Sequence, residues 1–152
     1  MPVKAKPDGY HTATPYLIVQ NSAEAIEFYK RAFGAQEKLR LSAPGGAVAH
    51  GEIQIGDSRI MLADEMLGSE FRSPKSVGGA SMSIMLYVPD VDDQFGKATR
   101  AGAKALRPVQ DQFYGDRSGT LEDPYGHIWT IATHKEDVAP EEINKRAQAL
   151  FK

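Results

Sequence analysis

The chain has 152 residues, 41% of them hydrophobic and 25% charged, the proportions of one ordinary globular domain, which sets aside disordered and fibrous classes. A net charge of -2 with no Lys/Arg cluster argues against a nucleic-acid partner, and the lack of cysteine removes disulfides, thiolate catalysis and cysteine-ligated zinc together. The N-terminus lacks the apolar segment of a signal peptide, and no apolar run approaches the ~20 residues of a membrane span, so a cytoplasmic protein without a membrane partner is expected.

Residues 1–13 are polar, carry Pro2, Pro7 and Gly9, and read as an irregular lead-in. Thr14 to Gln20 is a strand with Leu17 and Val19 on one face and Tyr16 and Ile18 on the other. Asn21 or Ser22 caps a helix whose apolar positions are Ala25, Ile26, Tyr29 and Phe33, and Gly34 stops it. Strands follow over Gln36 to Ala43, Val48 to Ile55 and Arg59 to Asp64, the last after a Gly56-Asp57 turn. Glu65 to Ala80, with Gly68, Pro74, Gly78 and Gly79 and no clean period, is a linker or flap.

The pattern then restarts with a strand over Ser81 to Val88, a helix over Val91 to Ala101 capped by Asp90 and stopped by Gly102, and strands over Ala103 to Val109, Arg117 to Glu122 and Ile128 to Thr133. Leu121 to His134 is the densest of these stretches: Asp123, Pro124 and Gly126 spell a tight turn between two strands. Sliding the chain by 68 or 69 residues sets Val19 on Val88, Asn21 on Asp90, Gly34 on Gly102 and Ile60 on Ile128. Two copies alone imply a pseudo-symmetric pair rather than an array. The expected architecture is α+β: two βαβββ units over about 14–64 and 81–134, linker 65–80, and a C-terminal helix over 140–151 with the stripe Ile143, Ala147, Leu150 and Phe151.

Alternation divides the strand residues between two faces. Leu17, Val19, Ile53, Ile55, Met61, Ala63, Ile84, Leu86, Val88, Leu121, Trp129 and Ile131 form an apolar set expected under the helices. Tyr16, His50, Glu52, Leu62, Asp64, Ser83, Tyr87, Thr130 and His134 fall on the opposite face, which is either solvated or a ligand-binding surface.

Several motifs narrow the family. The helix Ala25-Ile26-Glu27-Phe28-Tyr29 ending Phe33-Gly34-Ala35, the turn Asp123-Pro124-Tyr125-Gly126-His127, the opening Gly9-Tyr10-His11-Thr12 and the close Trp129-Thr130-Ile131-Ala132-Thr133-His134 resemble the vicinal oxygen chelate superfamily, in its PhnB-like branch. That superfamily holds glyoxalases, bleomycin resistance proteins and extradiol dioxygenases. The resemblance implies two units paired edge to edge around a concave ligand cavity, and a homodimer. It also assigns four metal-ligand positions, which fall here on Thr14, Leu62, Ser83 and Thr130. Such sites need imidazole, carboxylate or thiolate donors, so neither a metal nor another cofactor is expected.

His50 and Glu52, two apart on one strand, are the candidates for catalysis: a general acid/base pair, two ligands of a relocated metal with Asp64 or His134 as the third, or a polar patch that orients a ligand or seals a dimer contact. Tyr114 and Arg117 lie on a loop that the resemblance places near the cavity, where they would hold an anionic or aromatic ligand; the alternative is a turn held by Asp116 and Arg117. Met66, Leu67 and Phe71 of the linker are candidates for a lid or, equally, for burial at an interface. The expected ligand-contacting set is Tyr16, His50, Glu52, Asp64, Ser83, Tyr87, Tyr114, Arg117, Thr130 and His134. The expected function is metal-independent binding of a small polar or aromatic molecule, with a lyase, isomerase or dioxygenase-like enzyme as one alternative and a structural dimer with a vestigial cavity as another.

Overall fold

A computed structural model describes residues 2–151. The first unit comprises β1 (Tyr16–Val19), α1 (Ser22–Phe33), β2 (Gln36–Ser42), β3 (Val48–Ile55) and β4 (Ser58–Asp64). A linker with a single helical turn, α2 (Pro74–Val77), leads to the second: β5 (Ser83–Tyr87), α3 (Val91–Ala101), β6 (Lys104–Asp111), β7 (Asp116–Glu122) and β8 (Ile128–His134). The chain closes with α4 (Pro140–Leu150). The sheets have orders β1-β4-β3-β2 and β5-β8-β7-β6, each with one parallel pair, β1 on β4 and β5 on β8. These are the two expected βαβββ units.

Helices α1 and α3 start and stop where their capping residues dictate. Asn21 Oδ1 accepts from Glu24 N and Asp90 Oδ1 from Asp93 N, each satisfying a donor that the first helical turn leaves free. Gly34, at φ 68°, ends α1 in the left-handed conformation that glycine adopts without steric cost. Each fourth strand also reaches back to its own unit's helix. Asp64 Oδ1 accepts from Ser22 N at 2.6 Å and Thr133 Oγ1 from Val91 N at 2.9 Å. Both the donors and the acceptors of these two bonds are 69 residues apart, so the internal repeat is built into the helix anchors.

That anchor overturns the expected facing of β4. The two-residue turn at Gly56-Asp57 pairs Ile53 with Ile60 and Gly51 with Leu62, which puts Ile60, Leu62 and Asp64 under α1 and turns Met61 and Ala63 to the helix-free face. Leu62 is fully buried, and a Cβ on Gly51 would lie 3.3 Å from Leu62 Cδ2 and 3.4 Å from Ile26 Cδ1. Sequence alignment of Ile60 with Ile128 was one residue out, because the turn before β8 is one residue longer; the structural partner of Ile60 is Trp129.

One continuous core joins the units on the helix side. Phe33 and Tyr29 of α1 reach across to Trp129 of β8, with ring centroids 4.7 and 5.4 Å apart, and α1 packs along α3. Burying side chains of this size is worth roughly 1.5–3 kcal/mol each. The buried Asp123 carboxylate lies in the same seam, accepting from Tyr29 Oη at 2.6 Å and Trp129 Nε1 at 2.8 Å through one oxygen, and from the Tyr125 and His127 amides through the other. Burial, and the carboxylate beside it, hold the Tyr29 phenol well above the usual tyrosine range. His127 Nε2 completes the join at 2.9 Å from the Ile18 carbonyl. The C-terminal stripe is only half used: Ile143 and Ala147 are partly buried, whereas Leu150 and Phe151 stay exposed.

Candidate functional site

The helix-free face of the first sheet carries Tyr16 and Ile18 from β1, His50 and Glu52 from β3, and Met61 and Ala63 from β4. Over Tyr16, Ile18, Ala49 and Ala63 lies a cavity of about 400 Å³, roofed by Met66, Ser69 and Phe71 of the linker. Two of the three expected lid residues, Met66 and Phe71, therefore border it, while Leu67 projects outward. The lid is strapped at its base by Glu65, which accepts from Ser76 Oγ, Ser73 N, Ser73 Oγ and Arg72 Nε. These bonds, that of Ser76 foremost, draw the Glu65 carboxyl down to about 2.

Beside the cavity a hydrogen-bonded chain runs across the sheet. Tyr16 Oη lies 2.8 Å from His50 Nδ1, His50 Nε2 lies 2.9 Å from Glu52 Oε2, and Tyr10 Oη donates to Glu52 Oε1. Glu52 is 7% exposed. Tyr10 stacks under Arg59, whose guanidinium carbon is 5.2 Å from the ring centroid. Tyr10 sits in the irregular lead-in, where no periodicity could have marked it.

The other expected contact residues gather elsewhere. Ser83 and Thr130 border a shallow groove on the second sheet, with Thr120 Oγ1 2.9 Å from Thr130 Oγ1. Tyr87, Tyr114 and His134 line a third hollow, of about 460 Å³, together with Asp116 and Ile143. Asp116, expected from the sequence only as a turn residue, is its centre: 4% exposed, it accepts from Tyr87 Oη at 2.8 Å and lies 2.8 Å from His134 Nδ1. Its alternation with Ser118 and Thr120 was the available signal.

Two of the expected contact residues have partners within the chain. Asp64 borders the first cavity, but both its carboxylate oxygens are committed to the backbone amides of Ser22 and Val48, because a carboxylate at a helix N-terminus is stabilised there. Arg117 turns to the helix side, since Asp116 and Ser118 occupy the other; it forms a bidentate pair with Asp92 at 2.8 and 3.0 Å and reaches Asp111 at 3.2 Å, which also replaces the expected Asp116–Arg117 turn contact. With the β4 register corrected, the four metal positions become Thr14, Met61, Ser83 and Thr130. Three hydroxyls and a thioether do not fit a divalent transition metal. Nor is the relocated set assembled, since Asp64 faces the helix and His134 belongs to the second sheet. Among the described residues no group of three or more His, Asp or Glu side chains is placed to hold an ion.

His134 bridges two carboxylates, Asp116 on Nδ1 and Asp137 at 2.7 Å on Nε2, and the first of these bonds, then the second, raises its pKa. The stabilisation is fully present below the unfolded value of about 6.5 and is lost as pH rises through the higher folded value. An NMR titration of His134 should give a midpoint above the ordinary histidine value, and Asp116→Asn should lower it. A wild-type midpoint at or below the ordinary value would exclude the clasp.

Fold and site together define a paired-βαβββ protein with a lidded cavity on the helix-free face. Comparison with known proteins gives the family: the Glyoxalase/Bleomycin resistance protein/Dioxygenase superfamily profile matches residues 10–131, and the chain belongs to that superfamily. The Mycobacterium tuberculosis protein Rv0887c, itself uncharacterized, is 38% identical over 133 residues, covering 86% of this chain and 78% of its own. Among solved structures, TioX from Micromonospora sp. ML1 is 27% identical with a TM-score of 0.63, covering 80% of this chain and 98% of that one. A PhnB protein from Bacillus cereus, 21% identical and covering 81% and 99%, shares the fold with a TM-score of 0.61.

Proposed function

We propose that this chain binds a small, largely apolar or aromatic molecule without a metal, in the cavity between the first sheet and the Met66–Phe71 lid. The observation that carries this is the cavity itself: about 400 Å³, within the range of small-molecule pockets, walled by Ile18, Ala49, Ala63, Met66 and Phe71, with Tyr16, Asp64 and Ser69 as its polar groups. Sequestration of a drug-like compound, as the bleomycin resistance members' name describes, suits such a site. The protein acts as a cytoplasmic homodimer in this proposal. Supporting the second point, Leu39 and Leu41 of β2, Met85 of β5 and Leu106 of β6 stand exposed, as does Met82 just before β5, apolar side chains of the kind that a subunit contact covers.

Tag-free protein titrated with 2-naphthol tests the proposal. One saturable site is expected, indifferent to EDTA and lost in Ala63→Trp, whose indole fills the cavity. A stoichiometric metal whose removal abolishes binding, or wild-type binding by Ala63→Trp, would overturn it. The 2.9 Å contact of His50 with Glu52 supports a second reading, a proton-transferring lyase or isomerase. Turnover of any ligand found, lost in His50→Gln with binding retained, would favour that reading.

A further inference from the structure

The chain of hydrogen bonds beside the cavity has a direction, and the direction selects a ligand. Glu52 is buried and both its oxygens are occupied. An ionised carboxylate only accepts, so His50 Nε2 must carry the proton shared with Glu52. In the neutral imidazole the other nitrogen is then a bare acceptor, and the Tyr16 hydroxyl, 2.8 Å away, donates to it. A phenol has one proton to give. What Tyr16 has left for the cavity it walls is lone-pair density alone.

Resting on the cavity reading above, we propose that the ligand is a hydrogen-bond donor on an apolar ring: a phenol or an N–H heteroaromatic, its O–H or N–H directed at Tyr16. Among the other polar groups of the wall, the Asp64 carboxylate has both oxygens on backbone amides and can only accept, and Ser69 Oγ accepts from Phe71 N and keeps its one hydroxyl proton. No lysine, arginine or histidine side chain among the described residues lines the cavity, so an anionic ligand finds no counter-ion from them there. Ile18, Ala49, Ala63, Met66 and Phe71 offer only apolar contact.

Two measurements test this on the full chain. The first needs no ligand: ¹⁵N shifts of the imidazole nitrogens at pH ~8.5, above the ordinary histidine range, should show His50 with Nε2 protonated and Nδ1 bare. A proton on Nδ1 would overturn the proposal. The second compares 2-naphthol with its near-isostere 2-fluoronaphthalene in wild type and in Tyr16→Phe, a double-mutant cycle that cancels differences in ligand hydration. The preference for naphthol over fluoronaphthalene should fall about 5- to 10-fold in the variant, the worth of one hydrogen bond. An unchanged preference sinks the donor assignment but leaves cavity binding intact. Failure of both probes to saturate the wild-type protein sinks the cavity reading, and the donor assignment with it.

Discussion

Asp123→Ala is expected to lower the unfolding free energy by about 4 kcal/mol, in the range that lost buried networks produce. The substitution strips the acceptor from the Tyr29 hydroxyl, the Trp129 indole N–H and the amides of Tyr125 and His127 at once, all inside the seam between the units. Each buried donor left unpaired costs roughly 1–3 kcal/mol, and the four are too close together for their costs to add. Asp123→Asn is the gentler variant: one oxygen can still serve the two amides, but an NH₂ replaces the acceptor facing the Trp129 N–H, for a loss of roughly 2 kcal/mol. Denaturant unfolding followed by the single tryptophan measures both. A change below about 1 kcal/mol in the alanine variant would show that the carboxylate is not what ties the turn to α1.

Gly115→Ala should cost about 2–4 kcal/mol, and the loss should be confined to the end of the second unit. Gly115 has φ 104°, and a Cβ there would sit 2.2 Å from the Glu136 carbonyl oxygen and 3.1 Å from Val138 Cγ2. Its own carbonyl accepts from the Lys135 and Glu136 amides, so the 135–139 segment has to lift away. With that segment goes the seat of α4, where Arg146 bonds both the Phe113 carbonyl and Glu136. Hydrogen exchange should show lost protection at Lys135, Glu136 and along α4, with α1 unchanged. Gly45→Ala is the control, because Gly45 has φ 82° but open space around it, so it reports only the backbone cost of about 1 kcal/mol. Equal losses in the two variants would mean that close packing on Gly115 contributes nothing.

Both βαβββ units and their caps were legible in the sequence because each rests on local chemistry: Asn21 and Asp90 at helix starts, Gly34 at a stop, alternation along β3 and β7. The facing of β4 was not. Ile60-Met61-Leu62-Ala63 is apolar on both sides because the strand lies between α1 and the cavity, and period-two reasoning cannot orient a strand with two apolar faces. Asp64 and Asp123 look in the sequence like ordinary strand-end and turn acids; their partners lie 42 and 94 residues away, at Ser22 and Tyr29. His50 and Glu52 were found together because they share a strand face, whereas Tyr10, which completes their chain, comes from a segment without a period. Arg117 could have been placed correctly from alternation alone, given Asp116 and Ser118 on either side.

The imidazole of His127 on the Ile18 carbonyl occupies a backbone acceptor on β1, one end strand of the first sheet. The far strands, β2 and β6, carry Lys38, Arg40, Lys104 and Arg107, and β6 also holds Pro108. Charge and proline on a terminal strand are the devices by which soluble sheets discourage cross-β stacking. Stripping those cations from β2 and β6 should therefore show first as fibril growth at high protein concentration, before any change in the melting curve.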